Sequence, residues 1–215
     1  MSSAEGNGTV TNQPPTISDE ALARAAQAGA LASFEELVRR YEARIFRFVA
    51  NSCRSGADAR EITQEAFVSA FLHLREFDPD RSFQTWLFTI ARRKCVDRHR
   101  AAARVADEPV PEIVDDTNPA GIMLEREARE DLWRTTRALL PAPQFQVLWL
   151  KYAEDFSVEQ IARVTSRTRT HVKVLLFRAR ARLALRLKRE GRPNPSAKAK
   201  SIAIPDLNFA RTEHE

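Results

Sequence analysis

Thr170, His171, Lys173, Val174, Phe177 and Arg178 place hydroxyl, imidazole, cationic and apolar groups in one short stretch. On a helix turning ~100° per residue, Thr170, Lys173, Val174 and Phe177 share one side, with Arg178 at its margin. Val172, Leu176, Ala179 and Leu183 gather on the opposite side as a core stripe. Lys and Arg can pair with phosphates or guanine edges, while Val and Phe can touch thymine methyls. The pattern therefore fits a helix that enters a duplex groove. A membrane-surface helix would need one broad apolar face instead of a core-width stripe. A merely solubilising basic face remains the plainer alternative.

A second constellation lies upstream. "FDPDRSFQTWLFTIARRKCVDRHR" sets Phe77, Phe83, Trp86 and Phe88 beside Arg81, Arg92, Arg93, Lys94, Arg98 and Arg100. Aromatic rings next to a cationic track suit unpaired bases, which offer π-faces and phosphates together. Trp86, Leu87 and Ile90 read as core, leaving Phe77 and Phe83, which flank the "DPDRS" turn, as the exposed pair. In "DAREITQEAF", Asp58, Glu61 and Glu65 fall at helical spacing along one side, with Gln64, Val68 and Leu72 adjoining. Acids beside apolar groups suit a basic helical partner. An ordinary acidic helix start, favoured by the helix dipole, fits equally.

Catalytic chemistry has no such support. There is no P-loop, H-E-x-x-H or G-x-S-x-G, and His73, His99, His171 and His214 share no ligand spacing. No cofactor or metal is expected. Cys53 and Cys95 lack C-x-x-C spacing and read as reduced thiols, with redox sensing as the alternative. Charge is concentrated in patches. Residues 163–192 hold eleven Lys/Arg against one acid, and residues 81–104 hold seven against one. Residues 107–116 carry five acids and no base, so two basic patches flank an acidic segment, as in a polyanion binder. The N-terminus lacks a secretory pattern and no apolar run could span a bilayer, so a soluble, cytoplasmic protein without membrane insertion is expected.

These groups must be positioned by helices. Residues 1–17 read as a disordered arm, 18–104 as about four helices, 105–122 as an acidic linker, 123–189 as a second helical cluster and 190–215 as a flexible tail. Within the second cluster, Ser157 and Gln160 form a capping-box start. Ile161 and Val164 give an apolar edge, residues 165–167 the turn, and Thr168 the cap of the next helix. The expectation is an all-α fold of two small domains, the second a helix-turn-helix, joined by a flexible linker.

On these residues the chain resembles a bacterial RNA polymerase sigma factor of the extracytoplasmic-function group. "DAREITQEAF", "FQTWLFTIAR" and "DRHR" in that order resemble the core-binding and promoter-melting domain. "LPAPQFQVLWLKYAEDFSVEQIARVTSRTRTHVKVLLFRARARL" is similar to the C-terminal helix-turn-helix domain, and the resemblance spans roughly residues 20–188. It implies that Asp58, Glu61, Gln64, Glu65 and Val68 bind core polymerase, at the β′ clamp helices. Phe77, Arg81, Phe83, Arg92, Arg93, Lys94, Arg98 and Arg100 would read and open the −10 element. Thr170, His171, Lys173, Val174, Phe177 and Arg178 would read the −35 element. It also implies core RNA polymerase (β and β′ subunits), promoter DNA and an anti-sigma factor as partners, and no enzymatic activity.

Several positions depart from the family pattern. Arg60 stands where an acid is usual, and Arg93 where Asn is frequent. Ser166 replaces the usual turn glycine, His171 a threonine, and Leu175 an arginine that would face DNA. From spacing alone, Leu175 lies off the core stripe and is expected to be an apolar DNA contact. The competing function is a stand-alone helix-turn-helix regulator acting without polymerase. A weaker third is an interaction module with inert basic faces.

Overall fold

The computed structural model describes residues 17–53, 55–105 and 124–189. The expected arm, linker and tail therefore lie almost wholly outside the described residues. Eight α-helices and one 3₁₀ turn occur among these residues, with no strand, so the all-α expectation holds. α1 is Asp19–Gln27, α2 Leu31–Ala50, α3 Gly56–Leu72 and α4 Phe83–Val105, with the 3₁₀ turn at Leu74–Glu76. α5 is Leu124–Leu139, α6 Ala142–Tyr152, α7 Val158–Thr165 and α8 Arg169–Arg189.

The boundaries follow local chemistry. Ser18 caps α1 by accepting from the Ala21 N–H at 3.1 Å, and Ser55 caps α3 by accepting from the Asp58 N–H at 3.1 Å. Gly29, at φ +101°, closes α1 in a conformation L residues rarely adopt. Pro141 stands immediately before α6, where its missing N–H and fixed φ cost the helix nothing.

In the first half, α2 buries Leu37, Tyr41, Ile45, Phe48 and Val49 against Ile62 and Ala66 of α3 and Leu87 and Phe88 of α4. Alanines at 59, 66 and 70 let α3 approach closely. In the second half, Phe145, Leu148 and Leu150 of α6 pack with Ile161 and Val164 of α7 and Val172, Leu176 and Ala179 of α8. Burying each of these large side chains contributes about 1.5–3 kcal/mol.

The halves do not stand apart. Their buried side chains form one contiguous core, and α4 packs directly on α7. Phe88 meets Phe156 edge-on, with ring centroids 5.1 Å apart. Gln84 Nε2 donates to the Glu154 carbonyl at 3.2 Å, and Arg44 Nε donates to Glu154 Oε2 at 2.9 Å. Patterns within single helices could not reveal this seam, because its partners are far apart in the chain.

Candidate nucleic-acid interface

The α7–α8 corner is built by local bonds. Ser157 accepts from the Gln160 N–H at 3.1 Å while Gln160 Oε1 accepts from the Ser157 N–H at 2.8 Å, completing the expected capping box. α7 stops at Ser166, which takes a left-handed conformation at φ +52° and lets Arg167 N–H reach the Ala162 carbonyl at 3.0 Å. Thr168 Oγ1 then accepts from the His171 N–H at 3.2 Å, capping α8 as expected. Two helices with a three-residue turn between them are thus fixed by caps at three points.

This corner turns α8's polar side outward. Thr170, His171, Lys173, Val174, Phe177 and Arg178 are all exposed, Phe177 to 70%. Val172, Leu176 and Ala179 are buried beneath them. Arg167 Nη1 lies 3.0 Å from His171 Nε2, so the imidazole is held toward the turn. Glu159 Oε1 takes Arg163 and Arg169 at 3.2 and 3.0 Å, which leaves Lys173 and Arg178 as cations of the exposed face.

Leu175 requires a correction. It is buried, at 7% exposure, and is no surface contact. α8 is packed by α5, α6 and α7 together, so its buried arc is wider than the stripe a single neighbour would cover.

Phe77 and Phe83 also require one. Both are buried, at 3% and 0% exposure, and meet each other edge-on at 5.5 Å. Trp86 covers them at 5.0 and 5.6 Å, and Tyr41 packs on Phe83 at 5.8 Å. Their rings form the floor under the turn and offer no free face to a base. What the turn does expose is Asp78, Asp80 and Arg81, the last paired with Asp78 at 3.1 Å.

Along α4, Arg93 and Arg100 are exposed and Lys94 is half-exposed. Arg92 is half-buried, and its Nε finds no hydrogen-bond partner. Burial, together with Arg167 nearby, lowers its affinity for the proton. Arg98 departs most from the expected role. It reaches back to α3 and pairs with Asp58 at 3.6 Å, Glu61 at 3.0 Å and Glu65 at 3.3 Å. These acids, chiefly through the Glu61 hydrogen bond, hold its charge more firmly than usual. It is therefore committed to the acidic face and is not a free cation for a phosphate.

On α3, Glu61, Gln64 and Val68 are exposed, while Asp58 and Glu65 are half-exposed. Val68 (59%), Phe71 (49%) and Leu72 (71%) form an exposed apolar ridge next to them. Phe71 was not anticipated, although Phe71 and Leu72 stand three and four residues after Val68, the spacing of neighbours on one helix side. Arg44, Glu154 and Phe156 of the seam were also missed. "AEDFS" reads as simple punctuation between helices, and no local pattern marks its acid as buried.

Comparison with known proteins finds family matches in both halves. The Sigma-70 region 2 family matches residues 37–105, and the Sigma-70, region 4 family matches residues 134–183. The chain is 29% identical over 163 residues to the ECF RNA polymerase sigma-E factor of Escherichia coli K12, covering 69% of this chain and 83% of that one. It is also 29% identical over 153 residues to the ECF RNA polymerase sigma factor SigE of Mycolicibacterium smegmatis, covering 66% of this chain and 59% of that one. Among solved structures, CnrH in complex with the cytosolic domain of CnrY is similar, with 27% identity and a TM-score of 0.59. That match covers 80% of this chain and 99% of CnrH. The sigma factor RpoE of Bartonella quintana, solved with the anti-sigma factor NepR, shares the fold at 22% identity and a TM-score of 0.62, covering 72% of this chain and 96% of that one.

Proposed function

Because the chain belongs to the sigma-70 family, as a sigma factor of the extracytoplasmic-function group, we propose how its surfaces divide the work of bringing core RNA polymerase to a promoter. The α3 face of Asp58, Glu61, Gln64, Glu65 and Val68, extended by Phe71 and Leu72, docks on core polymerase. The 77–83 turn and the α4 cations Arg92, Arg93, Lys94 and Arg100 take the −10 element. Thr170, His171, Lys173, Val174, Phe177 and Arg178 of α8 take the −35 element. The protein positions DNA and polymerase and performs no bond chemistry itself. It acts in the cytoplasm, where the polymerase is, and an anti-sigma protein is the further partner its family implies.

The observation that carries this reading is the exposed Val68–Phe71–Leu72 ridge beside the α3 acids. A regulator that only gripped duplex DNA would have no use for a large apolar surface remote from its recognition helix. Initiation from a promoter template by core polymerase, with and without the purified chain, tests it. New, position-specific initiation is expected. Absence of both initiation and core binding would leave the stand-alone regulator.

The seam between the halves has a consequence for this function. The −10 and −35 elements lie about 25 base pairs apart, or roughly 85 Å at ~3.4 Å per pair. A body of this size packed on one core spans only about 40 Å. The closed arrangement therefore cannot read both elements, and the halves must separate at the promoter. Residues 106–123 can by covalent reach alone span roughly 60 Å. Arg92, half-buried and close to Arg167, is a cation that this separation would release toward phosphate.

A further inference from the structure

One side of α1 runs along the turn that joins the 3₁₀ segment to α4. Glu20, Arg24 and Gln27 stand at i, i+4 and i+7, the spacing of a single helix side. Gln27 Nε2 donates to the Phe77 carbonyl at 2.7 Å and to the Leu74 carbonyl at 2.9 Å. An amide nitrogen carries two hydrogens, so one side chain holds both carbonyls at once. About 10 Å back along the axis, at ~1.5 Å per residue, Glu20 Oε1 accepts from the Phe83 N–H at 3.1 Å. That N–H belongs to the first turn of α4, where no carbonyl within the helix can meet it. Between them, Arg24 Nη2 lies 3.7 Å from Asp80 Oδ1, an exposed pair that adds little.

α1 is itself tied down. Asp19 Oδ1 accepts from Arg40 Nη1 at 2.8 Å, and Asp19 Oδ2 accepts from the Tyr41 hydroxyl. Leu22 and Ala23 are buried in the core beneath the helix. The turn, by contrast, has only local bonds of its own to curl it. The Asp78 carbonyl accepts from the Arg81 N–H at 3.0 Å, and Asp78 Oδ1 from the Asp80 N–H at 3.1 Å. These residues are exposed, so their bonds set the curl but not its tilt on the body. The buried rings of Phe77 and Phe83 fix its depth, but apolar burial is non-directional. Direction comes from the hydrogen bonds at the two stems, and both come from α1.

We propose that Gln27 and Glu20 are positioning residues for reading the −10 element, holding the two stems of the 77–83 turn against α1. The inference rests on the reading above that this turn takes the −10 element. Neither residue touches DNA; each acts through the backbone from Asp78 to Ser82. With the Phe77 and Phe83 rings in the floor, the turn offers a base its backbone and the exposed Asp78, Asp80 and Arg81. Such contacts depend on where the backbone stands, and hydrogen bonds weaken steeply as their geometry departs from ideal. A site of this kind discriminates only while a supporting layer holds it in place. α1 is that layer, and its grip is on main-chain atoms, so it survives changes in the turn's own side chains.

Core polymerase with the full-length chain initiates from a pool of templates randomised separately at the −10 and −35 elements, each with a transcribed barcode. Sequencing the transcripts gives the base preference at both elements. Gln27→Met keeps the side chain's length and removes both donors, and Glu20→Ala removes the acceptor. Each is expected to flatten the −10 preference by roughly three- to tenfold, the worth of one directed hydrogen bond. The −35 preference in the same transcripts should stay as in the wild type. Glu20→Gln, which keeps an oxygen for the Phe83 N–H, should restore most of the −10 preference. An unchanged −10 preference, loss at both elements in step, or failure of Glu20→Gln to rescue would each overturn the proposal. The double change Asp80→Gly with Arg81→Gly separates it from its premise. If that change leaves the −10 preference intact, the turn does not read the element and the proposal falls with that reading. If it shifts the preference while the α1 variants do not, the role of α1 alone falls.

Discussion

Arg44 Nε donates to Glu154 Oε2 at 2.9 Å, with Nη2 at the same distance, joining α2 to the loop between α6 and α7. Glu154 is 5% exposed, so this ion pair across the seam between the halves is a buried one. Burial raises its pKa despite the opposing pull of Arg44. A closed molecule therefore carries a carboxylate whose ionisation is disfavoured by burial and favoured by Arg44 across the seam.

Removing the partner should open the seam. Arg44→Ala leaves a buried, unpaired carboxylate at a cost on the order of 3 kcal/mol, limited by whatever it costs the halves to part. The expected outcome is a larger radius of gyration by small-angle scattering, with helix content unchanged. A compact variant with wild-type scattering would remove this pair from control of the seam.

The same site predicts a pH dependence. A carboxyl whose folded-state pKa is raised gives stability that is fully present below its ordinary value, 4.5, and lost as pH rises through the raised value. The seam should therefore tighten as pH falls from neutral toward that value. Glu154→Gln should flatten the trend, read as the pH dependence of scattering or of crosslinking between α4 and α7.

On the DNA side, Lys173→Ala and Arg178→Ala should each weaken binding to an upstream-element duplex by about 1–3 kcal/mol if they contact a base. Purely phosphate contacts should instead reduce the salt dependence by about one unit per residue. Both residues are exposed, so the Tm should stay unchanged. Fluorescence anisotropy over a salt series distinguishes the cases.

Leu175→Arg, which restores the family's usual residue, should behave unlike a gain of DNA contact. Leu175 is buried on α8, a helix that α5, α6 and α7 all contact, so an arginine there must displace packing or remain desolvated. Destabilisation of about 3 kcal/mol or more is expected, measured by urea unfolding. Tighter DNA binding at unchanged stability would contradict this placement.

Charge reversal at Glu61 and Glu65 should weaken core polymerase binding while the fold survives, since neither side chain is buried. Arg98→Ala should do the opposite by freeing Asp58, Glu61 and Glu65 for a basic partner. Titration of labelled protein with core polymerase measures both. Equal losses from the two changes would mean that the acids act through Arg98 alone.

Features that depend on neighbours within a few residues are legible in the amino-acid order alone. Ser157 with Gln160 fixes the start of α7, and Thr168 that of α8. The Val172, Leu176 and Ala179 period fixes which side of α8 turns inward. Family motifs then told what the two helical clusters do. Relations between residues far apart in the chain emerge from the fold. Phe77 and Phe83 look exposed beside a turn, but Tyr41 and Trp86 close over them. Leu175 looks peripheral on a single wheel, but three helices enclose α8. Arg98 looks like a DNA cation until the α3 acids arrive beside it. Arg44 meets Glu154 through a contact with no sequence period to announce it. Helical periodicity and capping are local free energies, whereas burial and ion pairing are set by whichever distant surface the folded core brings into contact.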